Sequence, residues 1–283
     1  MPIENVSDTA RWVAVYRAME TARPDAIFRD PFAERLAGER GFRIVSEMKR
    51  GRQVSWAMIV RTAVMDELIL DRIANAGVDT VINLAAGLDT RPWRLALPPT
   101  LQWFDVDLPE MVAYKSSVMR GETPACRYEA IAADLTGDVV RDELLRRLGG
   151  VARTALVITE GLLIYLSAAQ VESLARSLHA QASIRWWITD TGSPRLLAMM
   201  NRWWGKAVAA GNAPFRFAPA DTAAFFGALG WREVVFRSGV EEGRRLRREM
   251  PLMWLWRFLA RLAPRARRDE FRRMSGVLML ERA

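Results

Sequence analysis

The chain of 283 residues is 51% apolar and 26% charged, a composition that indicates a folded globular protein and excludes a disordered one. Its formal net charge of +8 comes almost entirely from residues 232–283, which contain 14 arginines and 7 acidic residues. Because no sequence signature of a nucleic-acid-binding module accompanies this charge, we expect no nucleic-acid partner.

Strands and helices are predicted to alternate along most of the chain. This alternation is typical of βαβ units and of a parallel sheet. Two further strand-like runs, WREVVFRSG and SGVLMLERA, close the chain, and we interpret the residues between them as an insertion in a terminal strand pair. The predicted helices cover 61–76, 108–119, 138–148 and 168–182. The predicted strands before the two terminal runs cover 79–85, 101–106, 127–133, 155–160 and 184–190.

We expect residues 1–283 to form a single domain, because no internal repeat or low-complexity linker divides the chain. Within it we expect N-terminal cap helices, a core, a helical lid insertion and a last strand. These parts are predicted to cover 1–60, 61–238, 239–274 and 275–283.

Small and acidic residues follow the predicted strands, at the edge where parallel sheets bind their ligands. The first strand ends in Ala85-Ala86-Gly87, and Asp107 ends the second strand, 20 residues after Gly87. That offset is typical of a carboxylate that accepts ribose hydroxyls. The pattern therefore predicts a nucleoside pocket, although a single glycine turn after a strand is common.

A dinucleotide is the less favoured occupant of this pocket. The loop AAGLDT lacks the G-x-G-x-x-G spacing that lets a pyrophosphate lie against the turn. Asp89 in the same loop would repel phosphates at the start of the following helix. A cationic cofactor without phosphates tolerates these acids better.

Seven segments together carry a resemblance to a known family. They are ARPDAIFRDPFAERLAG, VRTAVMDELI, VINLAAGLDTRPWRL, VDLPEMVAYK, AADL, ITEGLLIYL and RRMSGVLMLERA. From about residue 9 to the C-terminus, the chain resembles the leucine carboxyl methyltransferase-like family of S-adenosylmethionine-dependent O-methyltransferases. The bacterial branch of that family is often linked to polyketide and other secondary metabolism.

The resemblance implies an α/β fold, the Rossmann-like class I methyltransferase fold. This fold has a seven-stranded, mostly parallel sheet with helices on both faces and an antiparallel terminal strand. An N-terminal helical cap and a helical insertion before the last strand complete it. The implied cofactor is S-adenosyl-L-methionine.

The resemblance also implies which residues hold the cofactor. Arg61 would bind the methionyl carboxylate, and Asp107 would accept the ribose hydroxyls. Gly87 would let the backbone pass close to the cofactor, whereas Ala85 stands where related sequences usually have glycine. Asp134 would accept from the adenine amino group. The full set is Arg61, Ala85, Gly87, Asp107, Leu108, Asp134, Leu135 and Glu160, with Leu135 beside the adenine and Glu160 near the methionyl amino group or the transferred methyl.

The expected reaction is displacement of the sulfonium methyl by an acceptor oxygen. A carboxylate acceptor is ionised at neutral pH and needs no general base, whereas a phenol or alcohol usually needs one. The only histidine, His179, lies in a predicted amphipathic helix, and we interpret it as structural. Carboxyl methylation is therefore favoured, with hydroxyl methylation and a non-catalytic, nucleoside-binding or partner-binding relative as alternatives. Glu160 and Tyr165 are the candidates near the methyl-transfer site, and no metal site is expected.

The acceptor is expected to be a small molecule held by the N-terminal helices, the 194–217 segment with Trp203 and Trp204, and the Trp/Arg-rich segment 244–268. These residues favour an apolar, in part anionic acceptor. We interpret 251–264 as a pocket lid, with weak contact to a membrane surface as the alternative. The hypothesis fails if Arg257 and Arg261 face solvent away from the cofactor.

The sequence also predicts a cytoplasmic location. The single cysteine, Cys126, excludes an internal disulfide framework and fits a reducing compartment. The N-terminal sequence MPIENVSDTARWVAV lacks the features of a secretory signal, and no apolar run reaches the roughly 18 residues of a membrane span.

Overall fold

A seven-stranded sheet lies at the centre of the computed structural model, which describes residues 6–48, 51–210, 213–250, 252–262 and 264–283. The strands are β1 (Thr80–Leu84), β2 (Gln102–Asp107), β3 (Arg127–Ala132), β4 (Ala155–Thr159), β5 (Ile184–Gly192), β6 (Trp231–Ser238) and β7 (Ser275–Arg282). The helices are α1 (Val6–Thr21), α2 (Ala33–Glu47), α3 (Ser55–Asn75), α4 (Arg91–Arg94), α5 (Pro109–Val118), α6 (Asp138–Val151), α7 (Ala168–His179), α8 (Pro194–Ala210), α9 (Thr222–Gly227), α10 (Gly239–Arg245), α11 (Met253–Leu262) and α12 (Arg265–Arg272).

The strand order is β3-β2-β1-β4-β5-β7-β6, and β7 runs antiparallel to both of its neighbours. The remaining neighbours pair in parallel. From β1 the chain first extends the sheet to β3, then returns to β4 on the other side of β1. This reversal makes the gap between β1 and β4 the switch point at which open α/β sheets bind ligands. The predicted Rossmann-like sheet with an antiparallel terminal strand is confirmed.

The central strands are short apolar runs because helices cover both faces of the sheet. In β4, Val157 packs into the cluster formed with α6, α7 and α9, whereas Leu156 and Ile158 pack into the cluster formed with α3. This alternation follows from the two-residue period of a strand. A third cluster joins α1 and α2 to residues above the carboxyl edge of the sheet, including Leu88.

One difference from the predicted elements is the start of α3. The sequence pattern predicts a helix from 61, but α3 begins at Ser55, directly after a 3₁₀ turn at Gly51–Val54. Its N-cap residue, Val54, makes no side-chain capping hydrogen bond, so the sequence offers no start signal there.

The segment between β6 and β7 is helical, as predicted, and contains α10, α11 and α12. None of the helices in the described ranges combines the length and the apolar character that crossing a bilayer requires.

Candidate functional site

A cavity of about 1290 Å³ lies at the carboxyl ends of β1, β2, β4 and β5. Its floor is formed by the loops after these strands, and its walls and roof come from α1, α3, α8, α11 and α12. The switch point between β1 and β4 therefore opens into a cavity large enough for a ligand.

Seven of the nine sequence-predicted site residues line this cavity. They are Arg61, Ala85, Gly87, Leu108, Asp107, Glu160 and Tyr165. The structure does not bring Asp134 or Leu135 into it. The exposed Asp134 carboxylate accepts hydrogen bonds from the N–H and hydroxyl of Thr136, at 2.9 and 2.7 Å, and Leu135 packs against the core.

The loop after β1 is held against the end of β2 by the Asp107 carboxylate. Gly87 N–H donates to Asp107 Oδ2 at 2.6 Å, and Leu108 N–H donates to Oδ1 at 2.7 Å. Burial raises the pKa of Asp107 above its ordinary value, although these two N–H groups oppose the shift. The carboxylate thus faces the cavity from a fixed position and keeps lone pairs for further donors.

Ala85 and Gly87 both adopt left-handed backbone conformations, each with φ of 53°. Glycine adopts this conformation freely, whereas the Cβ of alanine makes it unfavourable. A Cβ on Gly87 would lie 3.1 Å from Ala10 Cβ, because α1 packs closely over the loop. Both the backbone conformation of Gly87 and the packing of α1 therefore disfavour a side chain at this position.

Arg61 and Glu160 form an ion pair at the floor of the cavity. Arg61 Nε donates to Glu160 Oε1 at 2.9 Å, and Nη1 donates to Asp190 Oδ2 at 3.1 Å. Arg91 Nη1 lies 2.8 Å from Glu160 Oε2, so Glu160 bridges two guanidinium groups. Burial favours a higher pKa for Glu160, but the Arg91 and Arg61 charges outweigh it and hold the pKa below its ordinary value.

The ion-pair network continues beneath the cavity. Arg91 Nε donates to Asp66 Oδ1 at 2.7 Å and Arg91 Nη1 to Asp89 Oδ2 at 2.6 Å. Arg94 makes a bidentate pair with Asp66, at 2.6 and 2.8 Å. Asn83 Nδ2 donates to Asp89 Oδ2 at 2.9 Å. Helix α3, the loop after β1 and the loop after β4 are thereby joined through charged side chains.

Sequence reasoning missed Asp190 and the pairing of Arg91 with Asp66. Asp190 lies near the end of β5 and accepts the N–H of Gly161 at 2.6 Å as well as a bond from Arg61. The rule that identified acids after the earlier strands would have identified Asp190 if it had been applied to the fifth strand. The partner of Arg91 lies 25 residues away on α3, and no local spacing signals such a pair.

The N-terminal cap is fixed to the same loop by buried polar contacts. Arg17 Nη2 donates to the carbonyl oxygen of Leu88 at 2.6 Å, and Arg17 Nε donates to Asp30 at 2.8 Å. Thr90 Oγ1 donates to the same Asp30 carboxylate at 2.6 Å. The cap therefore closes the cavity over the carboxyl edge of the sheet.

The part of the cavity away from the charged network is apolar. Tyr165 and Phe215 lie in its wall with ring centroids 5.7 Å apart, and burial raises the pKa of Tyr165. Trp203 and Trp204 of α8 also line it, as the sequence predicts, and Trp204 packs edge-on against Trp12 of α1. The lid hypothesis depends on the orientation of Arg257 and Arg261. Their side chains lie outside the described part of the chain.

His179 lies away from this cavity and packs edge-on against Trp231, with ring centroids 5.8 Å apart. In the part of the chain that the structure describes, no three His, Cys, Asp or Glu residues are arranged to hold a metal ion.

Comparison with known proteins identifies relatives across most of the chain. The family model "Leucine carboxyl methyltransferase" matches residues 10–179. A Frankia alni protein is 34% identical over 81% of this chain and 83% of its own length, and a Streptomyces coelicolor protein is 33% identical over 79% and 82%. Both carry the name "Putative S-adenosyl-L-methionine-dependent methyltransferase".

Solved structures support the same fold. A DUF574-family protein from Streptomyces avermitilis superimposes with a TM-score of 0.61 at 14% sequence identity, covering 95% of this chain and 97% of that one. A Thermobifida fusca protein described as a methyltransferase candidate gives a TM-score of 0.60 at 12% identity, covering 100% and 96%.

Proposed function

Because the chain belongs to the leucine carboxyl methyltransferase family, we propose that it methylates a carboxylate of an apolar small-molecule acceptor, of the polyketide-like or another secondary-metabolite class. At the coarser level it is an S-adenosyl-L-methionine-dependent methyltransferase. The observation that carries the proposal is the cavity itself. Its charged floor suits this cofactor, and no histidine is among the described residues that line its apolar wall.

The donors and acceptors of the floor fit S-adenosyl-L-methionine. The half-buried Asp107 carboxylate is suited to accept the ribose hydroxyls beside the tight loop at Gly87. Asp89 accepts the N–H of Arg91 at the start of α4, at 2.8 Å, so this helix start already holds a carboxylate where a dinucleotide would need a phosphate. A sulfonium cofactor carries no phosphate and is attracted by the acids of the floor.

Arg61 is suited to hold the methionyl end of the cofactor. Its Nε and Nη1 are paired with Glu160 and Asp190, and its Nη2 makes no hydrogen bond to the residues that the structure describes. An amino-acid end group carries one negative and one positive charge. The carboxylate would pair with Arg61, and the ammonium would lie near the Glu160 and Asp190 carboxylates.

When bound, S-adenosyl-L-methionine supplies an electrophilic methyl group. The chain's contribution would be to hold the acceptor oxygen in line with that group and to exclude water. Arg61 and Arg91 keep Glu160 ionised, so Glu160 is a weak proton acceptor. The raised pKa of Tyr165 likewise keeps its hydroxyl protonated at neutral pH. A carboxylate acceptor, which has no proton to lose, matches these groups better than a phenol or an alcohol.

The cavity roof supports an apolar acceptor with an acidic group. Trp203, Trp204 and Phe215 contribute apolar surface. Arg202 and Arg267 also line the cavity, and neither forms an ion pair with another described residue. We propose that 244–268 acts as the lid of this acceptor pocket within a single catalytic domain.

Cofactor binding can be tested by titration calorimetry with S-adenosyl-L-methionine and its demethylated product. We expect Arg61→Gln to weaken binding about 10- to 100-fold, because a charge-assisted hydrogen bond is lost. Arg61→Lys keeps the charge but not the guanidinium fork, and should recover part of the affinity. The exposed Arg127→Gln is the matched control. Unchanged binding in Arg61→Gln, with an unfolding midpoint close to wild type, would refute the assigned role of Arg61.

The reaction can be tested by mass spectrometry on a panel of apolar carboxylic acids. The expected product carries one added methyl group, which mild base removes because methyl esters hydrolyse. Products that resist base would identify hydroxyl methylation. Cofactor binding with no methylated product in phenols, alcohols or acids would favour a non-catalytic relative.

A further inference from the structure

Exposed large apolar side chains concentrate in one short segment before and within α11. Trp254 is 62% exposed and Phe258 is 56% exposed. Outside this segment, the described residues include one exposed phenylalanine or tryptophan, Phe42 on α2. Patches of this kind are rare on a soluble surface and mark sites of contact. The exposed apolar side chains of the segment are Leu252, Trp254, Leu255, Trp256 and Phe258.

The orientation of these side chains does not suit a lid that faces only the cavity. Residues two apart on a helix point in nearly opposite directions, yet Trp254 and Trp256 are both exposed. Only Met253 among the described side chains of α11 is buried. The exposed apolar side chains of α11 are therefore left without cover by the described residues of this chain.

The same segment forms part of the cavity wall. Leu252 and Trp256 line the cavity while remaining 60% and 54% exposed. The outer apolar surface of α11 is therefore continuous with the mouth of the acceptor pocket.

Positive charge lies beside the apolar surface, on α12. Arg265, Arg267 and Arg268 are exposed and form no ion pair with other described residues. The exposed Arg272 and Arg273, by contrast, pair with Glu241 and Glu233, both at 2.8 Å. Unpaired arginines next to tryptophan and phenylalanine form the combination by which interfacial helices bind anionic lipid.

We propose that α11 and α12 dock on the surface of an anionic lipid bilayer, with the cavity mouth facing the lipid. At 10 residues, α11 is about 15 Å long, half the thickness of a bilayer core, so it would lie in the interface. Charge complementarity favours lipid over a second copy of the chain, which would bring the same arginines together. Docking requires neither cofactor nor acceptor, and its failure is therefore distinguishable from failure of the proposed methyltransferase activity.

The test is co-sedimentation of the full chain with vesicles. One set contains phosphatidylcholine alone, and the other contains equal amounts of phosphatidylcholine and phosphatidylglycerol. We expect binding to the anionic set that weakens with added salt. Arg265→Gln/Arg268→Gln and Trp254→Ser/Phe258→Ser should each lower the partition coefficient roughly tenfold or more. None of these four side chains lines the cavity.

Matched controls distinguish docking through α11 and α12 from nonspecific binding caused by net charge or by exposed apolar surface elsewhere. Arg120→Gln/Arg127→Gln removes the same charge from exposed sites elsewhere, and Val139→Ser/Val140→Ser removes exposed apolar surface from α6. Both should bind vesicles like wild type. Equal loss in a control and its α11 or α12 counterpart would overturn the proposal.

Orientation can be tested by tryptophan fluorescence with brominated acyl chains in the anionic vesicles. We expect quenching in wild type that largely disappears in Trp254→Ser/Trp256→Ser. Absence of vesicle binding would overturn the proposal, as would a dimer that Trp254→Ser/Phe258→Ser converts to a monomer without any vesicle binding. That last outcome would identify α11 as an interface between copies.

Discussion

The two sides of the cavity differ in the contacts that hold them and in their exposure to solvent. The charged floor, which we define as Arg61, Asp66, Asp89, Arg91 and Glu160, is a continuous set of ion pairs anchored to the sheet and α3. The aromatic roof, defined as α8, α11 and α12, consists of amphipathic helices with exposed tryptophans and arginines. Arg91 of the floor is 1% exposed, whereas Trp254 of the roof is 62% exposed.

The family model covers the two sides of the cavity unequally. The family model ends at residue 179, so it includes every residue of the charged floor and none of the aromatic roof. A fixed floor suits a cofactor that all members share. The Frankia alni relative nevertheless covers 81% of the chain, so sequence similarity continues beyond the end of the family model.

The largest predicted effect comes from removing Arg91. Arg91→Ala removes the buried guanidinium that pairs with the carboxylates of Asp66, Asp89 and Glu160. We expect it to lower the free energy of unfolding by about 3–5 kcal/mol. The same substitution at the exposed Arg268 of the roof should change it by less than about 0.5 kcal/mol. Urea unfolding of both variants measures the difference. Similar losses of unfolding free energy in Arg91→Ala and Arg268→Ala would show that the ion pairs of the floor contribute no more to stability than the roof arginine does.

A smaller effect should appear in the pH dependence of stability. The pKa of Glu160 lies below its ordinary value of 4.5, so its stabilising contribution is present above about pH 4.5 and is lost as the pH falls through the folded-state value. We expect the advantage of wild type over Glu160→Gln to narrow in that window, by at most about 1.4 kcal/mol per pH unit. Unfolding free energies measured at successive pH values report this change.

Exposed Glu172→Gln is the matched control for that series. If the difference between wild type and Glu160→Gln stayed constant as the solution was acidified, Glu160 would not be held ionised by Arg61 and Arg91.

The sheet could be predicted from the sequence because its strands are short apolar runs separated by helical patterns. The predicted strand 155–160 corresponds to β4, Ala155–Thr159, whose five residues are all buried. The first turns of α3 could not be predicted, since Val54 provides no capping side chain and the 3₁₀ turn before it has no clear pattern. Propensity and periodicity define the middle of an element better than its ends.

The candidate site was predictable to the extent that it depends on strand ends. Asp107 and Glu160 follow strands and line the cavity. Asp134 also follows a strand, but its carboxylate caps the local turn at Thr136, and such a short-range contact competes with a ligand. The pairing of Arg91 with Asp66 depends on how α3 packs on the sheet, which the sequence alone does not specify.

The smallest predicted effect concerns the left-handed residue where the floor meets the loop after β1. Ala85 has φ of 53°, which costs alanine about 1–2 kcal/mol relative to a right-handed conformation. Ala85→Gly removes this strain but gives the unfolded chain more freedom, so we expect a net gain of about 0.5–1 kcal/mol in the free energy of unfolding. Ala86→Gly, at a neighbouring position without positive φ, should instead lose about 0.5–1 kcal/mol. Urea unfolding of the two variants gives opposite signs if the strain is present. A loss of stability in both variants would mean that the backbone of Ala85 is not strained.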